Sequence, residues 1–166
     1  MTQRTADDNS VKSPPRVVVV GVGNLLLKDE GIGIHAVKSL QDIDLPPDVQ
    51  LIDGGTSPDL IAYTRAGDKL IIVDAAKAGG EPGTIYRFQP GDLSGEEGTL
   101  VSAHELGIEH NLRLMSLTGN EPGEIVIIGI EPKEIEWGTE LSAELRHRLP
   151  EIVKTVLGEI GTDANT

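Results

Sequence analysis

Three side chains in this sequence could do chemistry together: Glu30, Asp74 and His104. Two carboxylates and one imidazole make a hard-to-borderline donor set suited to a divalent ion such as Ni²⁺ or Zn²⁺. Glu30 and Asp74 are 44 residues apart, and Asp74 and His104 are 30 apart, so only a tertiary fold can join them. Each also has an ordinary reading. Glu30 could offset a helix dipole, an effect of about 0.3–1 kcal/mol. Asp74 could cap the glycine-rich turn that follows it. His104 could be a first-turn surface residue. Asp53, ahead of Gly54 and Gly55, reads equally as an auxiliary cleft residue and as a turn-forming Asp.

Several familiar chemistries fail on the residues present. Gly21-Val22-Gly23-Asn24-Leu25-Leu26 starts like a dinucleotide loop, but Leu26 stands where the third glycine belongs. Asp29 and Glu30 would then place negative charge where a pyrophosphate must sit. His104-Glu105-Leu106-Gly107-Ile108 begins like a zincin motif but ends in Ile, and His110 lies on another helical face. No GxSxG elbow surrounds Ser94 or Ser102. His35 and His147 fall inside helical segments and read as satisfied or solvated structural residues. The chain has no cysteine, which removes disulfides and thiolate chemistry and fits a reducing compartment, with the cytoplasm as the expectation. Its 14 basic and 27 acidic residues give a net charge of −13, which disfavours nucleic acid and anionic membranes as partners. No apolar run approaches the roughly 18 residues of a membrane span.

The elements that must position these residues alternate along the chain. Residues 1–15 are polar, end in Pro14-Pro15, and read as a disordered lead; 16–160 read as one domain and 161–166 as a frayed tail. Arg16 to Val20, Leu70 to Val73 and Glu124 to Ile130 are runs suited to buried strands, and Val49 to Ile52 is a second short strand. Thr84 to Phe88 alternates polar and apolar like a one-sided edge strand. Ile32, Ala36 and Leu40 have helical spacing. Ser57-Pro58 has the chemistry of a helix start, with the helix running to about Tyr63. Ser102-Ala103-His104-Glu105 is a capping box for a helix to about Leu117. Ser142 opens a last helix with Leu145, Leu149, Ile152, Val153, Val156 and Leu157 on its inner face. The order β-α-β-α-β-β-α-β-α predicts a three-layer α/β/α sandwich with a mostly parallel sheet. In such sheets ligands bind at the carboxyl ends of the strands, where Asn24, Asp29, Glu30, Asp53 and Asp74 fall.

Six motifs in order, over residues 16–157, resemble the hydrogenase maturation endopeptidases. Gly21 to Gly33 is similar to that family's opening GxGN-x-L-xx-D-[DE]-G-x-G signature. Asp53-Gly54-Gly55-Thr56 resembles its DGGT, and Val73-Asp74-Ala75 with Pro82-Gly83-Thr84 its VDA and PGT. Ser102 to Gly107 resembles S-x-H-x-L-G; Gly129-Ile130-Glu131-Pro132 and Leu141-Ser142 resemble GIxP and the late LS. The resemblance implies a five-stranded, mostly parallel mixed sheet with one antiparallel strand, the Thr84–Phe88 segment. It implies that Glu30, Asp74 and His104 are the catalytic, nickel-binding trio, with Asp53, Gly54 and Gly55 as auxiliary cleft residues. The nickel is carried by the substrate, a folded [NiFe]-hydrogenase large-subunit precursor whose C-terminal extension is removed, and the protease acts as a monomer. Many relatives have Asp where Glu30 stands, which keeps the carboxylate and lengthens its reach. Two alternatives stay open at this stage: a non-catalytic nickel-binding assembly factor or chaperone on the same scaffold, and an α/β peptidase unrelated to hydrogenase. In all three the Val, Ile, Leu and Ala runs supply a core that needs no metal. Chelation with EDTA is therefore expected to leave the melting temperature unchanged, and a large drop in a calorimetric scan would reveal a structural metal site instead.

Overall fold

A strand in the middle of a sheet covered on both sides must hide two faces, so it needs apolar side chains at consecutive positions. In the computed structural model, which describes residues 15–94 and 105–161, the three central strands meet this demand and the two edge strands are only partly buried, five strands making up one sheet. They are β1 (Val17–Gly21), β2 (Val49–Asp53), β3 (Lys69–Ala75), β4 (Ile85–Phe88) and β5 (Glu124–Ile130), in spatial order β2-β1-β3-β5-β4. The pairs β1·β2, β1·β3 and β3·β5 are parallel. Side chains alternate across a strand, and the alternation sorts the core. Val19, Ile71, Val73, Val126, Ile128 and Ile130 enter one buried cluster; Val18, Val20, Leu70, Ile72 and Ile127 enter the other.

Helices close both faces. Onto the first cluster pack α1 (Ile32–Leu40), through Ile32, Ala36, Val37 and Leu40, and α4 (Ala143–Ile160), through Leu145, Ile152, Val153, Val156 and Leu157. Onto the second pack the single turn α2 (Leu60–Tyr63), through Leu60, and α3 (Glu105–Thr118), through Ile108 and Met115. This is the expected three-layer α/β/α sandwich. Ser142 caps α4 by accepting from the Leu145 N–H. Among the described residues no helix is long and apolar enough to cross a membrane.

The antiparallel strand is β4, paired with β5 from Ile85↔Ile130 to Phe88↔Ile127. Its direction follows from its connection. Residues 76–84 contain no helix that could carry the chain back to the far edge of the sheet, so β4 starts where β3 ends and runs the other way. One expectation is corrected here: Ser57-Pro58 does not start a helix. Helix α2 begins at Leu60, and the Leu60 N–H is taken by Asn111 Oδ1 of α3 at 3.1 Å, so a long-range partner replaces the local cap. The expected cap at Ser102, the lead before residue 15 and the tail beyond residue 161 lie outside the described residues.

At the amino edge, Asp68 receives the Arg16 guanidinium at 2.7 Å together with the Arg16 and Arg65 N–H groups. At the carboxyl edge the corresponding fixture is Asp29. The sequence reading placed Asp29 beside Glu30 among the polar residues of the ligand edge, but the fold turns it inward until it is 0 % exposed. Its Oδ2 accepts the N–H groups of Lys133 (2.9 Å) and Glu134 (2.8 Å), and its Oδ1 accepts that of Ser142 (2.8 Å). The backbone adds Lys28 N–H to Gly138 O, Asp29 N–H to Glu134 O and Gly138 N–H to Leu26 O. These bonds weld the β1–α1 loop to the β5–α4 loop. Asp29→Asn is expected to be destabilising despite its shape, because the amide NH₂ would face N–H donors. Asp29→Ala would remove the acceptor from three N–H donors, that of Ser142 buried and those of Lys133 and Glu134 partly buried, at a cost of about 1–3 kcal/mol. Urea unfolding of both variants against the parent checks this.

Candidate active site at the carboxyl ends of β1 and β3

The chain leaves β1 toward β2 through α1 on one face, and reaches β3 on the other side of β1 through α2 on the opposite face. A crevice must open where those directions diverge, outside the carboxyl ends of β1 and β3. Glu30 and Asp74 both lie there. Asp74 is paired with Gly129 near the end of β3, is buried, and accepts the N–H of its own neighbour Ala75 at 2.8 Å. Glu30 is half-buried in a 3₁₀ turn, Lys28–Gly31, that leads into α1.

Glycines make the approach of these two segments possible. A Cβ on Gly33, in the first turn of α1, would stand 2.1 Å from the Val73 carbonyl oxygen. The start of α1 therefore rests directly on the residue before Asp74. A Cβ on Gly23 would stand 2.1 Å from the Glu30 carbonyl oxygen, so the loop also closes on itself. The Val22 N–H donates to Val73 O and the Asn24 N–H to Glu30 O. In this way the sequence brings two of the three expected ligands to one end of two adjacent strands. His104, the third, lies outside the described residues. Among the described residues no three His, Cys, Asp or Glu side chains converge as a metal site.

Around this centre the neighbouring loops are fixed by single side chains. Asp53 Oδ1 accepts the Gly55 N–H at 3.0 Å, the turn-forming role, with the side chain exposed at the rim. The Gly23 N–H then donates to Gly55 O, joining this turn to the Glu30 loop. Beyond it, a groove of about 400 Å³ runs between Thr56, Pro58 and Asp59 on one side and Gly107 and His110 of α3 on the other. Asn111 spans its base, donating to the Pro58 and Gly107 carbonyls. Sequence reasoning missed two of these fixtures. Asn111 carried no local signal. Glu131 was noticed only as part of a motif, yet it is buried and its Oε2 accepts from the Ala78 N–H (2.7 Å) and the Tyr86 hydroxyl (3.1 Å). The Tyr86 oxygen in turn accepts the Gly80 N–H. Burial and the Glu131 hydrogen bond push the Tyr86 pKa up and keep it a donor. Glu131 thus holds down the loop that follows Asp74.

Comparison with known proteins gives this arrangement a family. The model of the hydrogenase maturation proteases matches residues 34–159. The chain belongs to that family. It is 30% identical over 148 residues to the hydrogenase 2 maturation protease of Escherichia coli K12, covering 87% of this chain and 90% of the relative. It is 33% identical over 151 residues to the hydrogenase expression/formation protein HupD of Thiocapsa roseopersicina, covering 89% and 68%. Among solved structures, the E. coli hydrogenase maturating endopeptidase HybD aligns with a TM-score of 0.78 at 29% identity, over 88% of this chain and 92% of that one. The protein is thus a peptidase of hydrogenase maturation, and the mixed five-stranded sheet is the family's fold.

One histidine of this protease departs from expectation. His147 is exposed, as a solvated residue should be. His35 on α1 is not satisfied: its Nε2 is buried and finds no hydrogen-bond partner among the described residues. It borders a cleft of about 240 Å³ with Leu141, Arg146 and Leu149. Burial and the nearby Lys38 charge push its pKa down, with Asp29 opposing. The unfolded chain therefore takes up this proton first. The stability that His35 contributes is complete above its unfolded pKa near 6.5 and is lost as pH falls from there to the folded value. His35→Leu is expected to flatten the pH dependence of unfolding free energy between about pH 7 and 5, which denaturant melts across that range would read.

Proposed function

We propose that this protease removes the C-terminal extension of a [NiFe]-hydrogenase large-subunit precursor after nickel insertion, and that it recognises the nickel the precursor carries. The observation that supports this reading most directly is the placement of Glu30 and Asp74 at the carboxyl ends of adjacent strands in a chain of this family. Carboxylate oxygens and the His104 imidazole are ligands a divalent ion accepts beside the precursor's own thiolates.

In this reading the chain's contribution is positional. Asp74 is set by β3 and the Ala75 N–H; Glu30 is set by the 3₁₀ turn that Asp29 anchors. Ligand bonds of about 2.0–2.2 Å from these groups would fix the nickel, and with it the nearby scissile bond, against the crevice. The ion supplies an anchor and a Lewis acid when present. A precursor without nickel lacks the anchor, so cleavage reports metal loading. Gly55, two residues after Asp53, leaves open space at the rim where an extended peptide must pass, while Gly54 lets the turn pack closely on Val20 and Pro58.

Incubation with nickel-loaded and nickel-free precursor, followed by mass measurement, tests the reading: the loaded form is cut and the empty form is not. Equal cutting of both would overturn nickel recognition. His104→Ala is expected to abolish processing while shifting stability by no more than about 0.5 kcal/mol. Ser102→Ala removes the sequence's N-cap, costs roughly 0.5–2 kcal/mol and retains processing. Parental processing by His104→Ala would remove His104 from the site.

A further inference from the structure

Three large apolar side chains stand out in solvent on the two loops that Asp29 welds together: Leu26 at 55%, Ile135 at 40% and Trp137 at 80% exposed. Trp137 is the chain's single tryptophan, in a protein with only four aromatic residues. The loops are bridged in register. Leu27 pairs with Gly138, and the Gly138 N–H donates to Leu26 O at 2.9 Å, so Leu26 and Trp137 occupy neighbouring segments. The Asp29 N–H donates to Glu134 O, which puts Ile135 beside the same stretch. The patch is held on fixed backbone, so ordering it on contact costs little entropy.

Its place and its charge say what it meets. The Glu30 N–H donates to Leu27 O, so the patch and the candidate ligand belong to one turn of chain. A protein that delivers a peptide bond to Glu30 must lie against this loop. Lys28 offers no free positive charge, since its ammonium is held by Glu134 at 3.0 Å and Glu136 at 2.7 Å. Two carboxylates thus share one ammonium, which leaves a net negative charge there with Glu136 exposed, and the exposed Glu140 lies beside it at 3.8 Å from Arg146. The surface is apolar at its centre with an acidic edge, and its complement is apolar with Lys or Arg around it. Tryptophan in such a setting is a typical binding hot spot.

We infer that Leu26, Ile135 and Trp137 form the docking surface for the body of the folded large-subunit precursor, separate from the contacts made to its nickel and its extension. The inference rests on the function proposed above. Exposed apolar groups of this size, clustered at a site's mouth, mark an interaction surface. Docking here would orient the precursor before its metal centre reaches Glu30 and Asp74.

Two measurements test it. Protein grown with 5-fluorotryptophan carries a single ¹⁹F reporter at Trp137. Its resonance should shift or broaden on addition of nickel-loaded precursor and stay put on dilution of the protease alone. Trp137→Ser and Leu26→Ser should each raise KM for the precursor at least about tenfold, with kcat within twofold and the melting temperature unchanged. Leu117→Ser, at a still more exposed leucine near the end of α3 that leads to the amino edge of the sheet, should change neither constant. A wild-type protein that leaves loaded precursor uncut overturns the proposed function and this inference with it. A wild type that cuts, with variants of unchanged KM and a resonance that ignores precursor, overturns the docking surface alone. A resonance that moves with protease concentration in the absence of precursor assigns the patch to a second copy of this chain and likewise overturns it.

Discussion

The Asp29 carboxylate is the interaction on which the carboxyl edge of this protein depends. A buried carboxylate is costly unless hydrogen-bond donors compensate both of its oxygens. Here three backbone N–H groups from the β5–α4 loop and the start of α4 supply them. The bonds run from one residue to Lys133, Glu134 and Ser142, between 104 and 113 positions away in the chain. Removing this junction would free both loops at once: the one that carries Glu30 and the one that begins with Glu131. The site's geometry therefore rests on a residue that faces away from it.

A 3₁₀ turn explains how neighbouring acidic residues take such different roles. With about three residues per turn, consecutive side chains point roughly 120° apart. Within Lys28–Gly31, Lys28 reaches out to Glu134 and Glu136, Asp29 turns in to the backbone donors, and Glu30 is left half-buried. The turn is fixed from both sides, by the clamp behind it and by Gly33 resting on the Val73 carbonyl in front. Neither Glu30 nor Asp74 needs a flexible loop to bring it to the crevice. A site that must hold a ligand within a fraction of an ångström benefits from supports of this kind.

The same economy governs the layers. A parallel β1·β3·β5 centre with unbroken apolar runs, Val17–Val20, Leu70–Val73 and Ile125–Ile128, builds two cores from one sheet, and helices α1 and α4 against α2 and α3 use them separately. The edges are handled differently. Strand β4 shows partial exposure and an Arg87 side chain that pairs with Glu159 of α4. Charge on an edge strand discourages pairing with another sheet.

Much of this was determined by sequence alone. Consecutive Val and Ile runs announced the central strands, spacing of four announced α1, and Ser142 announced the start of α4; these signals act over a few residues, where period and capping chemistry are decided. The order of elements was enough for the layers, and the glycine-flanked acidic motifs were enough for the family and for Glu30 and Asp74 as candidates. Tertiary structure alone decided what depends on distant partners. It buried Asp29 and left Glu30 beside the crevice, because the donors that satisfy Asp29 lie on the far side of the chain. It moved the start of α2 from Ser57 to Leu60, because Asn111 of α3 supplied the cap. It gave Glu131 its post over the loop after Asp74, since Ala78 and Tyr86 meet it only once β4 has paired with β5. A carboxylate's role is set by the donors and charges that surround it, and local sequence does not contain them.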